Sequence, residues 1–235
     1  MRKRICVSIF AIAIMILLSG TVAAAPSFLG TSGGILAPDD SILGPGQFSA
    51  SFHALDLATN PTIIGANVGV TESLELGIAR FDPDVAGVSG ETLLNAKYLL
   101  LPETAFRPSL VIGVVDAGGE IDPEDDAGFY VVVGKNLTSF ATNIAGEPAQ
   151  PIRGYVGVGS GIYSGLFAGV DLQFSSKAKI IAEYIKEIKL KGAMSEDSVF
   201  NAGIRFAITD TLTGDLSLIN GEDLGFGISY TKLGL

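Results

Sequence analysis

The stretch Ser198-Val199-Phe200-Asn201-Ala202-Gly203-Ile204-Arg205-Phe206-Ala207-Ile208 is followed by Thr209-Asp210-Thr211, Leu212 to Ile219, Asn220-Gly221-Glu222 and Leu224 to Thr231, and this run decides the fold. Phe200, Ala202, Ile204, Phe206 and Ile208 share one face, and Asn201, Gly203, Arg205, Ala207 and Thr209 the other. Leu212, Gly214, Leu216 and Leu218 likewise oppose Thr213, Asp215 and Ser217. Leu224, Phe226, Ile228 and Tyr230 oppose Gly225, Gly227, Ser229 and Thr231. Period-2 alternation broken by short polar turns marks antiparallel strands. Asn220-Gly221 is a strong hairpin signal, because both residues accept the positive φ of a primed turn. The strands are long, and their polar face is small and glycine-dotted. A soluble sandwich favours strands nearer five or six residues. Apolar outside and polar inside is the pattern of a transmembrane barrel.

The rest of the chain fits that reading. It has 235 residues, 48% of them hydrophobic, and a mean hydropathy of +0.46. After residue 25 no stretch is long and apolar enough for a membrane helix, so a spanning chain needs a closed barrel to satisfy its backbone. Residues 1–24 read as a signal peptide: Arg2, Lys3 and Arg4, then the apolar Ile5 to Leu18, then the small Val22-Ala23-Ala24, with the cut after Ala24. The rival is an uncleaved anchor. The single cysteine, Cys6, falls inside that segment, so the exported chain carries no disulfide framework. A formal net charge of −10 disfavours nucleic acid as a partner.

Residues 25–46 form a lead segment rich in glycine and proline, expected to be irregular and to lie on the periplasmic side or in the barrel mouth. Residues 47–235 are assigned to the barrel: all-β, a single transmembrane antiparallel sheet of about twelve strands (range about 10–14). Nine strands precede the three quoted above: Gln47–Ala54, Thr62–Val70, Leu74–Phe81, Glu91–Leu101, Arg107–Val115, Phe129–Leu137, Ile152–Gly161, Leu166–Phe174 and Lys177–Lys189. Leu190–Asp197 is expected to be a loop.

Inward-facing polar residues are the candidates for function: Glu75 and Lys97 on neighbouring strands, then Asp171, Glu183, Arg205 and Asp215, with Asn67, Asn95, Gln173 and Asn201 completing a network. One reading is a charged constriction that selects a solute. The preferred reading is a salt-bridged lumen that neutralises its charges and fills a small barrel. Arg205 is expected to stand between Glu183 and Asp215. His53 is the single histidine, so a hydrolase at the barrel rim acting on lipid or glycan would need it. Asp122-Pro123-Glu124-Asp125-Asp126 offers hard oxygen ligands but reads first as a solvated acidic loop. Neither cofactor nor metal is expected.

Several motifs resemble one family. Gly30-x-x-Gly33-x-Ile35-Leu36-Ala37-Pro38, then Gly44-Pro45-Gly46-Gln47-Phe48-Ser49 with a strand reaching His53, resembles the entry motif of the YjbH-like outer-membrane barrels. Asn95-Ala96-Lys97-Tyr98, Leu101-Pro102-Glu103, Arg107-Pro108-Ser109 and Ile112-Gly113-Val114-Val115-Asp116 are similar to it as well. So are Ala182-Glu183-Tyr184, Asn201-Ala202-Gly203-Ile204-Arg205 and Gly225-Phe226-Gly227-Ile228-Ser229-Tyr230. The resemblance implies an outer-membrane location, with lipids and envelope polysaccharide or its export machinery as partners. The expected function is structural or that of a narrow pore, without catalysis. The alternatives are the His53 hydrolase and a secreted soluble β-domain.

Overall fold

The computed structural model describes residues 25–87, 89–124, 126–142 and 149–232. The signal-peptide reading of residues 1–24 lies outside the described residues, as does Asp125 of the acidic loop. The strands are β1 (Phe48–Leu55), β2 (Thr62–Gly69), β3 (Leu74–Asp82), β4 (Glu91–Leu101), β5 (Ser109–Val115), β6 (Gly128–Asn136) and β7 (Ile152–Gly159). They continue as β8 (Gly165–Ser175), β9 (Ala178–Ile185), β10 (Ile188–Leu190), β11 (Met194–Glu196), β12 (Val199–Ala207), β13 (Leu212–Ile219) and β14 (Asp223–Lys232).

Twelve of these strands close an antiparallel barrel in the order β1-β14-β13-β12-β9-β8-β7-β6-β5-β4-β3-β2. Closure comes from β1 pairing with β14, Phe48 opposite Lys232 and Leu55 opposite Gly225, so neither edge is left unpaired. The expected alternation holds along the wall. In β1, Ser49, Ser51 and His53 are buried while Phe48 and Phe52 are exposed; in β14, Gly225, Gly227, Ser229 and Thr231 are buried while Leu224, Phe226 and Tyr230 are exposed. Ile64, Ile78, Leu94, Val158, Phe200 and Leu216 continue the apolar outer surface. A soluble β-domain would bury these side chains and expose the polar ones; this chain does the reverse.

The tight turn at Asn220 and Gly221 forms as the sequence predicts, with φ of 50° and 74° at those two residues. The amide of Glu222 closes it by donating to Ile219 O at 3.0 Å. Several expected boundaries shift by one or two residues, and the seventh strand ends at Gly159 rather than Gly161; two differences have a visible cause. The fifth strand starts at Ser109 rather than Arg107, because Pro108 has no amide to pair and the amide of Arg107 turns back to Thr104 Oγ1 at 3.0 Å. The long strand Lys177–Lys189 is broken. Ile185 and Ile188 are both buried although three residues apart, so alternation fails at Lys186-Glu187. Beyond the break β10 leaves the wall and pairs with β11, inside the stretch expected to be a loop.

The strands β1 and β14 begin and end at the same end of the barrel, called here the turn end; the opposite, loop end carries the β10–β11 ribbon. At the loop end Leu57, Ile121, Ile162, Tyr163, Ile188 and Leu190 form a buried apolar cap. The lead segment reaches deeper than a barrel mouth: residues 25–40 are buried inside the barrel, and the chain emerges at the turn end, where Pro45 and Gly46 are exposed. Its backbone closes on itself, with Ser27 N donating to Thr31 O at 2.7 Å and Phe28 N to Ile35 O at 2.8 Å. That self-bonding, and the polar wall around it, is what allows an irregular segment to be buried at all.

Candidate functional site

The site is the lumen and the segment filling it. Glu183 on β9 is 1% exposed, and its carboxylate receives the amides of Ile35, Leu36 and Ala37 at 3.1, 3.0 and 3.0 Å. Tyr155 Oη donates to it at 3.1 Å and Asn201 Nδ2 at 2.8 Å. Five donors on one buried carboxylate make an anion nest, which offsets the cost of taking the charge out of water. Gly34 completes the fit: a Cβ there would sit 2.4 Å from Tyr155 Oη and 2.6 Å from Glu183 Oε2.

Arg205 on β12, also 1% exposed, pairs its Nε with Asp215 Oδ1 at 2.6 Å, its direct cross-strand partner on β13. The rest of the guanidinium donates to the lead segment, to Gly33 O and Gly34 O at 3.0 Å each and to Pro26 O at 3.4 Å. Arg205 therefore bridges Asp215 to backbone carbonyls and not to Glu183, correcting the expected triad. The register explains this: Glu183 lies opposite Asn201, whereas Arg205 lies opposite Lys179. Asp171 on β8 takes Lys179 as its ion-pair partner.

Glu75 and Lys97 are direct neighbours in register, yet each turns to the segment. Glu75 accepts from Ser32 Oγ and Leu43 N at 2.8 Å. Lys97 donates to Ser32 O and, at 2.9 Å, to Ser41 O, and stands 3.8 Å from Asp39. Asn95 links Leu29 O at 3.3 Å to the Asp116 amide at 3.0 Å. Asn201 also accepts from the Asn220 amide at 3.0 Å. Asn67 is buried with neither amide atom bonded. Gln173 lines a cavity of about 400 Å³ at the turn end, with Arg153, Lys179, Arg205, Asp39 and Asp171.

Sequence reasoning missed several partners. Arg153 and Tyr155 share the inward parity of Gly157, and Lys179 that of Glu183, so alternation alone points to them. Asp39 and Asp40 carry no such signal, because they sit in the irregular segment; Asp40 pairs with Arg153 and Ser109.

His53 is fully buried on β1 inside the lumen, not at the rim, with its ring 4.7 Å from that of Phe28 and no hydrogen-bond partner on either nitrogen. Among the described residues no hydroxyl nucleophile is bonded to it. In the acidic loop Asp122 Oδ1 accepts the amide of Glu124 at 2.7 Å. That oxygen therefore serves the turn itself.

No family model matches the chain and no curated protein does. Among solved structures it is similar to the KdgM porin, at 12% identity and a TM-score of 0.55, over 77% of this chain and 98% of that one. Looser likenesses include Omp33 of Acinetobacter baumannii, at 11% identity, TM-score 0.46, 79% and 96% coverage, and the NanC porin, at 9%, 0.46, 80% and 100%. The chain is thus an all-β, closed twelve-stranded antiparallel barrel with the fold of a porin.

Proposed function

We propose that this chain sits in the bacterial outer membrane as a narrow pore held closed by its own residues 25–43, and that it works without catalysis. The carrying observation is the clamp on that segment: three successive amides on Glu183, and carbonyls of Pro26, Gly33 and Gly34 on Arg205. A wall that is apolar outside and charged inside has lipid as its outer partner and water or solute as its inner one. The charged cavity at the turn end gives solvent one point of entry, and the apolar cap closes the other. The resemblance to YjbH-like barrels supports envelope polysaccharide production or export as the setting.

The test is conductance in planar bilayers of the full chain, of a variant lacking residues 26–42, and of Glu183→Gln. The full chain is expected to conduct little, the deletion to conduct steadily, and Glu183→Gln to flicker between the two. A deletion variant that inserts and shows heat-modifiable gel migration, yet conducts no more than the full chain, leaves a purely structural barrel and overturns the pore.

A further inference from the structure

The lumen grips its plug round most of its circumference but leaves one arc of the wall unbonded to it. Among the described residues, the hydrogen bonds from residues 25–43 to the barrel run to β3, β4, β5, β6, β7, β9, β12 and Tyr163. Among those residues, none runs to β1, β2 or β14. The inward faces of these three strands are also of another kind. They carry Ser49, Ser51, His53, Asn67, Ser229 and Thr231 among glycines and aliphatics. Their one Asp, Glu, Lys or Arg of inward parity is Asp223, half-buried at the loop end of β14.

On this face the plug leaves polar groups unsatisfied. Ser51 Oγ, both nitrogens of His53, both amide atoms of Asn67 and Ser229 Oγ are buried without partners, as is Ser27 Oγ on the plug. They are contiguous: Ser51 lies opposite Ser229, His53 one pair along, and Asn67 diagonal to Ser51 on the other flank. Buried polar groups are normally bonded, and a cluster of orphans is disfavoured where it stands. Elsewhere Glu75, Lys97, Glu183 and Arg205 are bonded to the plug, and Asp116, Asp171 and Asp215 each have one carboxylate oxygen bonded and the other not. The ring of Phe28 occupies the space over Gly225, where a Cβ would be 2.3 Å from it, and it packs beside His53.

We propose that the plug opens along β14, β1 and β2, and that this face lines a path for small uncharged hydrogen-bonding solutes such as polyols and amides. When Phe28 and Ser27 withdraw, the hydroxyls, the Asn67 amide and the His53 imidazole regain partners from water or solute. Glycines at positions 65, 225 and 227 leave width without adding charge. The plug stays tethered by Glu75 and Lys97 on the adjoining strands and by Glu183 further round the wall. This inference rests on the pore reading above and names its gate and its cargo.

Single-cysteine variants test it, in full-length protein in liposomes with Cys6→Ser as background. Ser51→Cys and Ser229→Cys probe the ungripped face; Val132→Cys, likewise buried on β6, probes the gripped one. The probe is iodoacetamide, small and neutral. Alkylation at Ser51→Cys and Ser229→Cys is expected to be at least about tenfold faster than at Val132→Cys, and to slow glycerol entry in a swelling assay. Equal rates, or faster reaction at Val132→Cys, overturn the inference. So does faster swelling with potassium chloride than with glycerol. If the variant lacking residues 26–42 admits no solute, the pore reading itself has failed; if it admits glycerol while the labelling rates are equal, only the assignment of the gate has.

Discussion

At the residue scale, the two charges that matter most in the lumen have unlike partners. Arg205 joins a carboxylate and several carbonyls, so removing it strands the buried Asp215 without its partner. Breaking a buried pair from one side costs about 3–5 kcal/mol. Arg205→Ala should therefore lower the unfolding midpoint in urea, and Arg205→Ala with Asp215→Asn should recover part of the loss. An unchanged midpoint in the single variant would mean the arginine is solvated. Glu183 is different: its donors are mostly plug amides, so Glu183→Gln should spare the barrel and weaken the plug. Hydrogen bonds to a charged group contribute about 1.5–3 kcal/mol. Faster amide exchange at Ile35, Leu36 and Ala37, with wall amides still protected, is the expected signature.

At the element scale, connections carry distinct chemistry. The 102–108 turn is pinned by Glu103, which pairs with Lys135 and Arg153 at 3.0 Å each and accepts the Asn136 amide at 2.9 Å. Partial burial pushes its carboxyl up, but the Asn136 amide, Lys135 and Arg153 outweigh that and hold it below the ordinary 4.5. A depressed carboxylate contributes stability that is complete above about pH 4.5 and is lost as pH falls through its lower folded value. Exchange at the Asn136 amide should therefore quicken below that pH, and Glu103→Gln should remove the dependence. The β13–β14 turn depends on φ instead. Gly221 sits at a φ of 74°, in the left-handed region. A side chain there brings its Cβ against the following carbonyl, so Gly221→Ala should destabilise by about 1–2 kcal/mol. The measurement is a lower unfolding midpoint with the barrel still formed.

At the scale of the whole molecule, the inverted distribution of polarity makes the two faces of one strand respond oppositely. Ile78 points outward from the middle of β3 and is exposed, whereas Glu75 on the same strand is buried against the plug. Arginine on a lipid face near the bilayer midplane costs about 2–4 kcal/mol. Ile78→Arg should therefore lower stability by that amount in vesicles, read by urea unfolding. A soluble fold would tolerate it, so an unaffected midpoint and recovery in the soluble fraction would refute the membrane reading.

The wall was legible in the sequence because a strand's period is two: one apolar residue in each pair assigns every side chain to lipid or lumen before any partner is known. That rule placed Glu75, Lys97, Asn95, Glu183, Asn201 and Arg205 inward, and the Asn220-Gly221 turn fixed the last hairpin. It also failed visibly at Lys186-Glu187, where alternation stops and β10 leaves the barrel. The Arg205–Asp215 pair followed from the β12–β13 hairpin, but only the tertiary structure decided what the other inward groups meet: register across β9 and β12 set Glu183 opposite Asn201, and the plug took the remaining donors of Arg205. The plug lay further out of reach: residues 25–43 have no periodicity, and their place is determined by which carboxylates and guanidinium happen to face the centre once the barrel has closed.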